Sequence, residues 1–169
     1  MSDATIVTVG IAEIQVRQGD VIFRCVGIGS CVGVCLFDPI AKVTGFAHVM
    51  LPAAFADHEP ESPGKFADTA IPALIAAMEE RGADLTRTVA AMGGGAQMFR
   101  ILGGGESLDL GPRNLQAVEE QLTKYGIACV AADTGGNLGR TLTFASQTGA
   151  VFVKAHSKED RVLCELRAA

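Results

Sequence analysis

The chain has 169 residues, the size of one domain with one core, and a formal charge of −5. That balance excludes the basic footprint of a nucleic-acid binder and the basic patch of a membrane-surface protein. Hydrophobic residues make up 49%, aromatics only 5% and Trp none, so the core must rest on Val, Ile, Leu, Ala and Met.

Asp3 stands near the start and no Lys or Arg precedes Arg17, unlike a secretory leader. No apolar run approaches the roughly 20 residues of a membrane span. The cysteines are Cys25, Cys31, Cys35, Cys129 and Cys164. An odd number without a leader implies free thiols in a reducing compartment. The expectation is a soluble cytoplasmic protein, one domain over 1–169.

Residues 5–26 are β-like, with Ile6, Val7, Val9 and Ile11, then Val21, Ile22 and Phe23 beyond a Gln18-Gly19-Asp20 turn. Residues 31–37 are apolar on both faces and predict a fully covered strand. Asp38-Pro39 starts a turn, and Val43–Leu51 returns as a strand closed by Pro52. Residues 53–65 are polar and read as a loop. Ile71, Leu74, Ile75 and Met78 predict a helix, with Thr69 as N-cap, Pro72 in the first turn and Gly82 ending it. A second helix covers about 112–125, with Leu115, Val118, Leu122 and Tyr125 as its stripe and Gly126 after it. A strand near Val89 and glycine triplets at 93–95 and 103–105 lie between the helices. After residue 126 the chain is β-rich: Ile127–Ala131, Thr141–Phe144, Val151–Val153 and Val162–Leu166. Few helices among many strands predict a layered α/β sandwich with mixed, largely antiparallel sheets and two main helices.

Gly27-Ile28-Gly29 is no dinucleotide fingerprint, because Val32 occupies the third glycine position and a strand follows. Gly93-Gly94-Gly95 lacks the Lys-Ser/Thr of a phosphate loop and reads as a close backbone passage. Cys25, Cys31, Cys35, His48 and His58 raise zinc, but the cysteine gaps are wider than paired ligands use, and no metal or cofactor is expected.

Cys31 and His48 make the better constellation. If 31–37 and 42–49 form a hairpin around Asp38–Ala41, Phe37 faces Lys42 and Cys31 faces His48. Such neighbours have Cβ atoms roughly 4.5–5.5 Å apart. An imidazole at that distance takes the thiol proton and makes a nucleophile. Gly29 and Ser30 leave room for a carbonyl, and backbone N–H groups could hold its oxyanion. The bland alternative is a small buried thiol beside a satisfied strand histidine.

Gly29-Ser30-Cys31-Val32, Asp38-Pro39 and Ala47-His48-Val49-Met50-Leu51-Pro52 resemble the CheD family of chemoreceptor glutamine deamidases. The resemblance continues in Gly64-Lys65-Phe66-Ala67-Asp68-Thr69-Ala70, in Gly93–Phe99, in Gly111-Pro112-Arg113-Asn114 and in Asp133-Thr134-Gly135-Gly136-Asn137. It implies a layered α/β sandwich and hydrolysis of selected glutamine side chains on the cytoplasmic helices of methyl-accepting chemotaxis receptors, giving glutamate and ammonia. It also implies binding and stimulation of the phosphatase CheC, with no direct membrane insertion. Cys31 would be the nucleophile and His48 the general base and acid. The family's third catalytic position, six residues before the cysteine, is usually Thr; here it is Cys25. Sulfur accepts hydrogen bonds weakly. Either the carbonyl of residue 25 orients His48, or catalysis is impaired and the protein acts mainly as a CheC-binding regulatory module.

Overall fold

The computed structural model describes residues 4–54, 62–97, 109–156 and 158–166. The strands are β1 Thr5–Thr8, β2 Ile14–Gln18, β3 Val21–Ile28, β4 Val32–Asp38, β5 Val43–Val49, β6 Val89–Gly94, β7 Ala128–Thr134, β8 Arg140–Ala145, β9 Ala150–Ala155 and β10 Arg161–Glu165. The helices are α1 Ala67–Glu79 and α2 Leu110–Lys124. The strands form two five-stranded sheets, ordered β1-β3-β8-β9-β10 and β2-β5-β4-β6-β7. Both are mixed: β1 lies parallel to β3 and β7 parallel to β6, and the other neighbours are antiparallel.

β4 explains the layering. All seven of its residues are buried, so both its faces must be covered. Cys35 and Phe37 point between the sheets and join Phe23, Phe46, Leu142, Phe144 and Val151 in the inter-sheet core. Two tilted ring pairs cross that gap, Phe23 with Phe46 at 5.9 Å and Phe37 with Phe144 at 5.1 Å. On the outer face, Val32, Val34 and Leu36 meet the stripes of the two helices: Ile71, Leu74 and Met78 of α1, and Val118 and Leu122 of α2. Gly45 on β5 lets α1 come close, since a Cβ there would lie 2.7 Å from the Met78 sulfur. The order is therefore sheet, sheet, helices, an α/β sandwich as the element pattern predicts. The Gln18-Gly19-Asp20 turn does not close a hairpin; it carries the chain from one sheet to the other.

Two local expectations are corrected. α1 begins at Ala67 with Phe66 as its N-cap, so Pro72 lies inside the helix. Thr69 does not cap it: its hydroxyl donates to the carbonyls of Pro63 (2.6 Å) and Phe66 (3.2 Å), tying the first turn to the preceding segment. The β4–β5 register is also different. Phe37 pairs with Thr44, Asp38 with Val43 and Gly33 with His48. The connection is as long as the expected turn over Asp38–Ala41 but displaced by one residue: Pro39 to Lys42 lie outside the ladder, and Lys42 closes it in the left-handed region with φ 56°. The partner of every β4 residue moves by two, which preserves side-chain parity.

The buried carboxylate of Asp38 holds this connection. Its Oδ1 accepts from the N–H groups of Ile40 (2.9 Å) and Ala41 (3.2 Å). Its Oδ2 accepts from Asp84 N–H (2.7 Å) and Arg87 Nη2 (2.9 Å). Burial pushes the Asp38 pKa up, but Arg87 and the three N–H groups outweigh it and hold the carboxyl below its ordinary value of 3.8. A depressed folded-state pKa contributes stability above the unfolded value that is lost as pH falls through the folded one. Asp38→Ala is expected to cost about 3 kcal/mol in urea unfolding at neutral pH, the lower end for a broken buried pair because Arg87 is part-exposed. Its deficit against the parent should shrink below pH 3.8; a deficit independent of pH would place the loss in packing rather than in the carboxylate.

Candidate active site

Gly29, Ser30 and Cys31 form the crossing from β3 in one sheet to β4 in the other. All three carbonyls of that crossing are pinned. Gly95 N–H donates to Cys31 O at 2.7 Å and Ala96 N–H to Gly29 O at 2.9 Å. Asn114 Nδ2 donates to Ser30 O at 2.9 Å. The glycines of the 93–95 triplet permit this: a Cβ on Gly94, at φ 117°, would lie 2.3 Å from Cys31 O. Gly111 repeats the device, because a Cβ there would lie 2.5 Å from Gly95 O. The cysteine thus sits on a backbone fixed from behind by a glycine-lined passage and one helix side chain.

Asn114 reaches further. The same Nδ2 donates to Met50 O at 3.0 Å, so one amide ties the Cys31 turn to the residue following Val49 at the end of β5. The side chain is fully buried, on the face of α2 shared by Val118 and Leu122.

His48 is fully buried on β5. Its cross-strand partner Gly33 has no side chain. Cys31 lies two residues along from Gly33, which makes it a diagonal neighbour of His48, at roughly 7–8 Å, rather than a facing one. Across β5, His48 N–H donates to Glu13 O at 3.1 Å, and Ala12 N–H to His48 O at 2.9 Å. Ala12 stands at φ 64°, so the chain bulges there. The bulge folds the Glu13 carboxylate back onto Gly10 N–H at 2.8 Å. No short, well-aligned hydrogen bond reaches either ring nitrogen of His48 among the described residues; the backbone acceptor that acts on the ring is the Val9 carbonyl, as a loose contact.

Burial lowers the His48 pKa below its ordinary 6.5, opposed by the Val9 carbonyl and the Glu13 carboxylate. Burial raises the pKa of the half-buried Cys31, opposed by the residue's own N–H. The resting pair is therefore a neutral thiol and a neutral imidazole, not an ion pair. Cys25 is fully buried on β3, and its Sγ lies 3.7 Å from where a Cβ of Gly33 would stand. Burial, then Cys31, then Glu13 push its thiol up to about 12. Cys25, Cys31 and His48 are thus gathered at one end of the inter-sheet layer. Cys35 is buried in the middle of that layer, and Cys129 and Cys164 lie on the edge strands β7 and β10. His58 lies outside the described residues.

Sequence reasoning missed three participants. Val9 and Glu13 carry no motif and come to His48 through the β1–β2 bulge. Asn114 belongs to the Gly111–Asn114 motif, whose buried amide at a helix stripe position was the available signal.

A two-sheet sandwich backed by helices, with a thiol on a pinned crossing and a buried imidazole diagonal to it on the same sheet face, defines the class. The family model for CheD chemotactic sensory transduction matches residues 50–155. A probable chemoreceptor glutamine deamidase CheD of Caldanaerobacter subterraneus is 43% identical over 90% of this chain and 94% of its own. A protein of the same description from Symbiobacterium thermophilum is 39% identical over 96% of this chain and 100% of its own. The chemoreceptor glutamine deamidase CheD of Thermotoga maritima is 40% identical over 86% and 89%. The chain belongs to the CheD family.

Asn114→Ala removes two buried donors and is expected to cost about 2 kcal/mol in denaturant unfolding. Asn114→Asp, nearly isosteric but unable to donate when ionised, should cost at least as much. An Asp variant as stable as the parent would show that the two carbonyls do not need the amide.

Proposed function

We propose that this protein hydrolyses the side-chain amide of specific chemoreceptor glutamines, giving glutamate and ammonia, with Cys31 as nucleophile and His48 as general base and acid. The carrying observation is the buried imidazole of His48, held by no short hydrogen bond among the described residues, on the same sheet face as the carbonyl-pinned Cys31 turn. The deamidase names of relatives that span most of the chain support the same reading.

From a neutral pair, His48 accepts the thiol proton as sulfur attacks the glutamine Cδ. The carbonyls of the turn are engaged behind it, so its N–H groups are the available donors for the oxyanion. His48 then gives its proton to the leaving ammonia, leaving a thioester. Water, deprotonated by His48, attacks the thioester and releases glutamate and the thiol. The substrate's main chain is not cut. The departure at Cys25 is tolerated in this reading because the Val9 carbonyl and the Glu13 carboxylate stabilise the imidazolium, in place of a hydroxyl at position 25. The orienting carbonyl is then that of Val9, not of residue 25. The protein would work in the cytoplasm as one domain and bind CheC. The buried thiol at the family's Thr position favours a second reading, a CheC-binding regulator of low catalytic power.

Mass spectrometry of receptor digests tests the two. Amide-to-acid conversion at receptor glutamines should require the parent protein and vanish with Cys31→Ala or His48→Ala; no conversion by the folded parent selects the regulator. Catalysis needs neutral His48, so the acid limb of kcat/KM should fall below pH 6.5. Cys25→Val should retain activity near the parent's. Loss of nearly all turnover at an unchanged melting temperature would make the Cys25 thiol a working member of the site.

A further inference from the structure

A cavity of about 820 Å³ opens on the outer face of the β1-β3-β8-β9-β10 sheet, near the end of β3 that leads into the Cys31 turn, lined by Val26, Gly27, Arg140, Lys154, His156 and Lys158 among others, with no carboxylate in its wall. In a chain of charge −5, that is a local reversal of sign. Arg140 is already committed: its guanidinium donates to the carbonyls of Gly94 (2.7 Å), Asp133 (2.9 Å) and Gly135 (2.5 Å) and pairs with the Asp133 carboxylate at 3.1 Å. Lys154 and Lys158 are exposed and have no ion pair with another described residue. A smaller adjoining cavity shares Arg140 and Lys158 and adds Asp133, Glu159 and Arg161. There Arg140 and Arg161 both pair with Asp133, and Glu159 shares the wall with Lys158, so Lys154 on the Val26–Gly27 side is the lysine with no carboxylate in its wall.

That side is tied to the candidate active site. Gly27 is four residues from Cys31, at most roughly 14 Å by chain reach. This is the length of about nine residues of helix. Arg140 pairs in register with Ile28, and the Gly94 carbonyl it holds belongs to the residue packed on Cys31 O. The exposed lysines stand on the rim of an open cavity, with no buried polar cradle to enclose a small anion. Such a rim suits carboxylates carried on another polypeptide, where several weak, exposed attractions add and steer the approach.

We infer that this basic cavity docks an acidic flank of the substrate polypeptide while Cys31 addresses the target glutamine. The choice of a polypeptide substrate rests on the deamidase reading; the docking is measurable without turnover. The probes are two synthetic helical peptides with one central Gln, one carrying Glu and the other Ala two turns away. Binding is read by fluorescence anisotropy on Cys31→Ala, and turnover by mass spectrometry on the parent. The Glu peptide should bind on the order of tenfold tighter, and Lys154→Glu/Lys158→Glu should remove that advantage. The advantage should also fade between about 0.05 and 0.5 M salt. In turnover the difference should appear in KM.

Equal affinity of the two peptides, or an advantage that survives the double charge reversal, overturns the docking whatever the turnover. Displacement of the Glu peptide by inorganic phosphate, but not by chloride at equal ionic strength, overturns it in favour of a small-anion site. Acid-dependent binding without deamidation of either peptide upholds the docking and fails the deamidase reading instead.

Discussion

The Asp38 carboxylate, buried and saturated by Ile40, Ala41, Asp84 and Arg87, is the constraint on which the site depends. It fixes the position of the β4–β5 connection along the chain, and the connection fixes the register. A one-residue change would turn His48 to the helix side of the sheet. The observed register leaves it between the sheets, opposite the one β4 position without a side chain. A Cβ at Gly33 would lie 2.9 Å from Ile28 Cδ1 and 3.4 Å from the Phe46 ring, so a larger residue there would have to displace the end of the Ile28 side chain.

The second half of the site arrives from a different direction. Cys31 lies where the chain leaves one sheet for the other, and its backbone is gripped by the Gly94–Ala96 segment and by α2 through Asn114. Because the Asn114 amide also holds Met50, the turn and the end of β5 share a single anchor. A thiol and an imidazole carried on separate strands are thereby held in one rigid frame, as a site built on regular elements requires.

Electrostatically the site is quiet at rest. Burial favours the uncharged form of both Cys31 and His48. The groups that counter this for His48 are the Val9 carbonyl and the Glu13 carboxylate, brought in by the bulge at Ala12. They favour the imidazolium, the form that the proposed proton transfer from Cys31 would create. Cys25, with its pKa pushed to about 12, contributes bulk and a weak acceptor rather than charge.

The sequence by itself determined the element order, the covered character of β4 and the apolar stripes of both helices, and it singled out Cys31 and His48 as candidates. Each of these is written in local periodicity, in turn chemistry or in motifs that resemble a family. Tertiary structure alone decided the register, because the Pro39–Lys42 loop is set by Asp84 and Arg87 from more than forty residues away. It also decided which sheet each strand joins and the start of α1, where packing of the segment around Phe66 overrode the preference for Pro72 in a first turn. The directions of the Cys31 and His48 pKa values, and the arrival of Val9, Glu13 and Asn114 at the site, were likewise outside local reach. Burial and long-range hydrogen bonds depend on which distant segments are packed together, and no periodicity within a strand or helix encodes that.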